Sequence, residues 1–244
     1  YLNGVYWGHY NMRERVDRFF VAQHEGLPLE EADNMDILEA SGRTVVWGSS
    51  KEYRKMIERV EASSPGTNEE DLQYILDNID VDNYFDYMAF EMFFGNSDPG
   101  NIRFYRLKEP GSKWRWIIYD LDYGLFSSGF DSVTSYLKPK GAGEQHINNT
   151  LIRKLLENDQ MRDKFLTRLG EIYQFMTTET MTNELNAMVA IQPYVVSKLF
   201  VTKNRQLSQH YSWANGYLMV VYGGEKMVQA RHGEGADNLA GIIA

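Results

Sequence analysis

The sequence predicts an α+β fold, because strand-like and helical patterns occupy different parts of the chain. Residues 1–12 alternate Tyr, Val and Trp with Gly and Asn, which is typical of a β-hairpin ending near Glu14. From Ser49 onward, apolar residues recur at helical spacing. A second predicted hairpin, over 102–119, interrupts this helical region.

Short elements account for the rest of the first 48 residues. A short helix follows Glu14 and is predicted to end at Gly26. Two strands, at 35–40 and 44–47, are predicted on either side of a Ser-Gly turn. Together with the first hairpin, these strands predict a small β-rich region.

Helical periodicity predicts three helices before the second hairpin. The first starts near Ser49, and the second begins at a capping box formed by Thr67 and Glu70. The third spans 81–94 and stops at Gly95. Turn-forming Pro and Gly residues then separate the two strands of the hairpin.

The region after this hairpin is predicted to be helical, apart from one long loop. Residues 124–145 are rich in glycine and serine and have no periodicity, which is typical of a functional or mobile loop. Helices are expected at 151–156, 161–176, 181–199 with a kink at Pro193, and 213–231.

Composition and charge exclude several functional classes. No apolar run approaches the ~20 residues that a membrane-spanning helix needs, so we expect no membrane span. A formal charge of -9 without a basic cluster argues against a nucleic-acid partner. The chain has no cysteine, which excludes disulfides and cysteine-ligated zinc, and its five histidines are not spaced as metal ligands.

Polar side chains gather at the two ends of the second predicted hairpin. Asp98 and Asn101 precede its first strand, while Asp120 and Asp122 follow its second strand. Because a hairpin brings its ends together, we expect these groups to lie within several ångströms of one another. Two carboxylates roughly 5 Å apart repel by about 3 kcal/mol at an effective dielectric near 20, so such a cluster takes up protons or binds a cation. Mg²⁺ prefers these oxygen ligands.

Each of these residues, taken singly, is an ordinary turn residue. Their combination favours a functional role, since Asp-x-x-Asn leads into a strand and the returning strand ends on Asp-x-Asp-Tyr-Gly. Protein kinases need the same parts: a base for the acceptor hydroxyl, and an Asn and an Asp for the metal.

Two long motifs carry a resemblance to a known family. The first is YLNGVYWGHYNMRERVD at 1–17; the second combines GNSDPGNI at 95–102 with WRWIIYDLDYG at 114–124. In order and spacing, these motifs resemble those of the CotH (spore coat protein H) kinase family. The match covers residues 1–126 best, and the C-terminal part is placed by continuity.

This resemblance implies a protein-kinase-like fold over residues 1–244. A β-rich part of the small lobe, 1–48, would pack on a mainly helical large lobe, 49–244, which contains the catalytic hairpin at 96–124. The family pattern implies an N-terminally incomplete domain, with the phosphate-gripping lysine and further small-lobe sequence expected upstream. Neither that lysine nor a Gly-rich loop is visible in the chain.

The family also implies an activity and a location. Its members transfer the γ-phosphoryl of ATP to Ser or Thr of a coat or cell-surface protein, using Mg²⁺ or Mn²⁺. The expected partners are therefore a nucleotide and a protein substrate, and the expected location is extracytoplasmic, on a bacterial cell surface, secreted or in a spore coat.

Site residues can be carried over by the same resemblance. Asp98 matches the catalytic aspartate and Asn101 its metal-binding partner. Asp122 resembles the second metal ligand of kinases, with Asp120 as the competing candidate. Glu14 would line the nucleotide pocket, although closing a strand and capping the following helix suits it equally well.

Two other functions compete with the kinase. A kinase-like fold can serve as a non-catalytic interaction module on a surface or coat, since a fold does not fix a function. A metal-dependent phosphohydrolase built on the Asp-x-Asp pair is the third, and it would need more metal ligands than the sequence offers.

Overall fold

A computed structural model describes most of the chain. The described residues are 3, 14–40, 42, 44–96, 102–121, 123–125, 129–138, 149–191, 217–222 and 226–231. For 188–191 and the last two segments, the description concerns the backbone.

Eight α-helices lie within the described residues. They are α1 Arg18–His24, α2 Lys51–Glu61, α3 Glu69–Asn78, α4 Val81–Phe94, α5 Ser132–Leu137, α6 Thr150–Leu155, α7 Asp159–Phe175 and α8 Thr178–Ile191. A single 3₁₀ turn at Leu29–Glu31 follows α1.

Four strands form one antiparallel sheet in the order β2-β1-β3-β4. They are β1 Met35–Glu39, β2 Thr44–Trp47, β3 Arg103–Leu107 and β4 Arg115–Ile117. Helices and an antiparallel sheet together confirm the predicted α+β class. The division of the chain into kinase-like lobes stays a prediction.

The sheet joins the two predicted parts of the chain. Strand β1 pairs with β3 from Met35 opposite Leu107 to Glu39 opposite Arg103. The first 48 residues and the second hairpin therefore contribute to the same sheet. A domain boundary at residue 48 remains a prediction.

Apolar cores cover both faces of this sheet, because neighbouring strand residues point to opposite sides. Phe104 and Trp116 face a large core that includes α2, α3, α4, α6 and α7. Tyr105 and Ile117 belong to a smaller cluster with Val21 of α1. Burying each large apolar side chain contributes roughly 1.5–3 kcal/mol, so both layers fix the sheet.

The predicted helix at 213–231 is wrong. The structure has two antiparallel strands there, β5 Tyr217–Tyr222 and β6 Lys226–Arg231. The segment YLMVVY consists largely of residues that favour strands, and a Gly-Gly pair follows it. Such a pair between two strand-like runs favours a hairpin over a continuous helix.

Two local predictions also need correction. Helix α5 lies inside the stretch predicted as a loop, 124–145, and its N-cap is Asp131, whose carboxylate accepts a hydrogen bond from Thr134 N at 3.0 Å. The N-cap of α3 is Asn68, which accepts from Glu70 N, so Thr67 does not form the predicted capping box. An Asn oxygen at the last extended position reaches the free amides of the first turn directly.

Other predicted elements agree with the structure. The helix after Glu14, the strands β1 and β2, the helix at 81–94 and the second hairpin are confirmed. The hairpin predicted at 1–12 and the kink at Pro193 lie outside the described residues.

Candidate functional site

The hairpin of β3 and β4 sets the position of the predicted site. Arg103, the first residue of β3, pairs with Ile117, the last residue of β4. The chain therefore enters and leaves the hairpin at the same end. Helix α4 stops shortly before this entry, at Gly95, whose φ of 60° lies in the left-handed region that glycine adopts without a Cβ penalty.

The structure describes two of the five predicted site residues, Glu14 and Asp120. Asp98, Asn101 and Asp122 lie outside the described residues. Their roles and their distances from one another stay predictions.

A cleft of about 520 Å³ brings Glu14 and Asp120 to one place. We call it the Glu14–Asp120 cleft. Its size is within the range of about 300–1,000 Å³ that is usual for small-molecule sites. The described residues that line it are Glu14, Arg15, Val16, Arg103, Tyr119, Asp120 and Leu121.

Arg103 connects the walls of this cleft. Its Nη1 donates to the backbone oxygen of Val16, and its Nη2 lies 3.4 Å from the Glu39 carboxylate. The guanidinium also lies 5.3 Å from the ring centre of Tyr119. Residues 14–16 form one wall of the cleft, which we call the residue-14 wall. Arg103 links this wall to β1 and to Tyr119, just after β4. The sequence did not predict this bridging role of Arg103, since both of its hydrogen-bond partners are distant in sequence.

The backbone of Asp120 is unusual. Its φ of 59° lies in the left-handed region, where few residues other than glycine occur. This conformation costs on the order of 1 kcal/mol, and Asp tolerates it better than most residues. The left-handed turn follows directly on Tyr119, where the chain leaves the hairpin along the cleft.

Glu14 is about half exposed, with a carboxylate oxygen 3.6 Å from His24 Nε2. The sequence allowed Glu14 to cap the helix that follows it, but Glu14 does not cap α1. Asp17 is the N-cap, and its carboxylate accepts hydrogen bonds from Phe19 N at 2.9 Å and from Phe20 N. Glu14 therefore does not cap the start of α1, and it is among the residues that line the cleft.

The end of α4 is held by the segment that follows the Asp-x-Asp motif. The last carbonyls of a helix lack partners within the helix. Here Ser132 Oγ donates to the oxygen of Met92 at 2.5 Å, and Leu125 N donates to that of Phe94 at 2.5 Å. Residues predicted as a loop thus contact the helix from which the Asp-x-x-Asn stretch departs.

A comparison with protein families identifies the family of the chain. The family model described as CotH kinase protein matches residues 1–220. The chain belongs to the CotH kinase family. No curated protein and no solved structure matches it. Membership indicates a kinase-like function, which in kinases generally involves ATP and a divalent metal.

The lining of the Glu14–Asp120 cleft carries charges of both signs. It includes the acidic residues Glu14 and Asp120 and the basic residues Arg15 and Arg103. Guanidinium groups suit phosphate oxygens, and carboxylates suit a divalent cation. Within the described ranges, no group of three or more acidic or histidine side chains could hold a metal, and Asn101 and Asp122 lie outside those ranges.

No helix in the described part of this CotH kinase family member is long and apolar enough to cross a membrane.

Proposed function

We propose that the chain is a metal-dependent protein kinase that transfers the γ-phosphoryl of ATP to Ser or Thr of a coat or cell-surface protein, outside the cytoplasm. The observation that carries this proposal is the Glu14–Asp120 cleft. Glu14, from the first family motif, and Asp120, from the second, both line this cleft. Both motifs belong to the region that the CotH kinase model matches.

The proposal assigns a role to each predicted site residue. Asp98 orients the acceptor hydroxyl and takes its proton. Asn101 holds Mg²⁺ or Mn²⁺ together with Asp122 or Asp120, and Glu14 lines the nucleotide end of the cleft. The bound metal would neutralise charge on the phosphate oxygens.

Two arginines that line the cleft, Arg15 and Arg103, support the proposal that it binds a nucleotide. Arg15 has a side chain 88% exposed, with a carboxylate oxygen of Asp17 3.6 Å from its Nε, so it is accessible to a ligand. Arg103 is mostly buried and joined to protein groups. We therefore assign phosphate contact to Arg15 and wall support to Arg103.

The test is transfer of labelled γ-phosphate from ATP, with Mg²⁺ or Mn²⁺, by the purified protein and its Asp98→Asn variant. Removing a general base should lower the rate by at least about 100-fold. A matched control is Asp77→Asn, the same change at an exposed residue of α3 that contacts Gln73. Equal labelling by the parent and Asp98→Asn would refute the role of Asp98.

A non-catalytic interaction module is the second candidate. A kinase-like fold does not by itself fix an activity, so family membership is compatible with such a module. It predicts no ATP hydrolysis and no phosphate transfer by the parent protein with either metal.

A further inference from the structure

A buried acidic side chain lies close to the end of α4. Glu91 is 1% exposed, on the last turn of the helix, where the helix dipole disfavours negative charge. Burying a carboxylate is costly unless hydrogen bonds compensate. Burial of the Glu91 carboxylate at this position therefore lowers stability unless it is hydrogen-bonded. The proposed phosphoryl transfer does not use this carboxylate.

The hydroxyl of Tyr136 compensates for this burial. It lies 3.0 Å from Glu91 Oε2 and 3.0 Å from the backbone oxygen of Asn96, and the tyrosine is 2% exposed. The hydroxyl has one proton, which these two acceptor oxygens share, so it links the last turn of α4 to the first residue after its Gly95 cap. Asn96 is only two positions before Asp98 in the sequence.

Tyr136 is itself held in place. Asn149 Nδ2 donates to the backbone oxygen of Tyr136 at 2.9 Å and to that of Lys138 at 2.6 Å. At the other end of α5, Ser132 Oγ donates to Met92 O. Because both ends of α5 are hydrogen-bonded to neighbouring segments, the Tyr136 hydroxyl is held in position next to Asn96 O.

We propose that Tyr136 is a positioning residue, which fixes the exit of α4 at Asn96 and so orients the stretch that leads to Asp98. This inference rests on the proposed function, because it takes Asp98 as the catalytic base. Loss of a positioning contact should lower turnover and loosen the backbone that follows Asn96.

The experiment compares Tyr136→Phe with Tyr53→Phe. Both changes remove one hydroxyl from a buried ring, but Tyr53 lies on α2 and packs against Phe104 and Trp114. We expect Tyr136→Phe to speed backbone hydrogen exchange about tenfold in peptides covering 93–104, and to lower kcat by a similar factor. Tyr53→Phe should change neither quantity.

The two measurements separate the possible failures. Unchanged hydrogen exchange at 93–104 in Tyr136→Phe overturns the inference, whether or not the protein is a kinase. Faster exchange with unchanged kcat in an active protein also overturns it. If the parent transfers no phosphate, the proposed function fails, and hydrogen exchange still decides whether Tyr136 fixes the exit of α4.

Discussion

Arg103 illustrates how one residue can connect segments that are far apart in sequence. Its guanidinium contacts Val16, Glu39 and Tyr119. Arginine suits this role because its planar fork offers several donors in fixed directions, whereas lysine offers a single mobile ammonium group. The shape of the Glu14–Asp120 cleft therefore depends on a residue that we do not assign to chemistry.

Replacing Arg103 by lysine should weaken nucleotide binding while the protein stays folded. The positive charge remains, but the fork between Val16 and Glu39 is lost, so the residue-14 wall is held less firmly. We expect about a tenfold rise in the Kd for ATP with Mg²⁺, measured by calorimetric titration.

Arg106→Lys supplies the control for this prediction. Arg106 lies on the same strand, with its guanidinium 5.1 Å from the ring centre of Trp114, and it is not among the described residues that line the cleft. Equal ATP affinities for the two variants would show that the wall does not depend on the Arg103 fork.

The sequence predicted site residues that stand in a local motif. It did not predict residues whose roles depend on partners distant in the sequence. Asp120 and Glu14 could be singled out because each stands in a long sequence motif. Arg103 and Tyr136 could not, since their roles depend on the remote partners Val16 and Glu91. No local pattern shows that an arginine in a strand, or a tyrosine in a serine-rich stretch, connects two distant segments.

Among the elements, those with strong local signals were predicted best. Helix α4 has an Asp80 side chain that accepts from Asn83 N at its start and a left-handed Gly95 at its end, so both bounds are encoded locally. Helix α5 is six residues long, too short for a clear period, and its buried face depends on α4. The β5–β6 hairpin was missed because short apolar runs fit helical and strand periods alike.

Helix α7 should contribute to stability through one face only. Phe165 is 2% exposed, and its ring centre lies 5.3 Å from that of Phe85 on α4. Phe165→Ala should lower the free energy of unfolding by about 3–5 kcal/mol, because it leaves a cavity between the two helices. Chemical denaturation is the measurement.

Leu166→Ala, on the same helix, is the matched control. Leu166 is 55% exposed, so its loss should change the free energy of unfolding by only about 0.5 kcal/mol. Similar losses for the two variants would mean that α7 does not pack on α4 through Phe165.

At the scale of the whole molecule, the core contains several buried tyrosines. Burial raises the pKa values of Tyr53, Tyr84 and Tyr87, and burial with a hydrogen bond to Glu25 raises the pKa of Tyr105. Each of these phenols stays neutral in the folded protein at a pH at which an unfolded chain would begin to ionise. The folded state therefore binds more protons than the unfolded state under alkaline conditions.

This difference predicts the direction of alkaline unfolding. Because the folded-state pKa values are raised above the unfolded value of 10.0, the associated stability is complete below pH 10.0 and is lost as the pH rises beyond it. Tyrosinate absorbance from the buried rings should appear together with the loss of helical circular dichroism. Tyr53→Phe should make stability fall less steeply with pH, because one buried phenol with a raised pKa is removed. Ionisation of all tyrosines well before unfolding would show that these rings are accessible to water and that the core is looser than the structure describes.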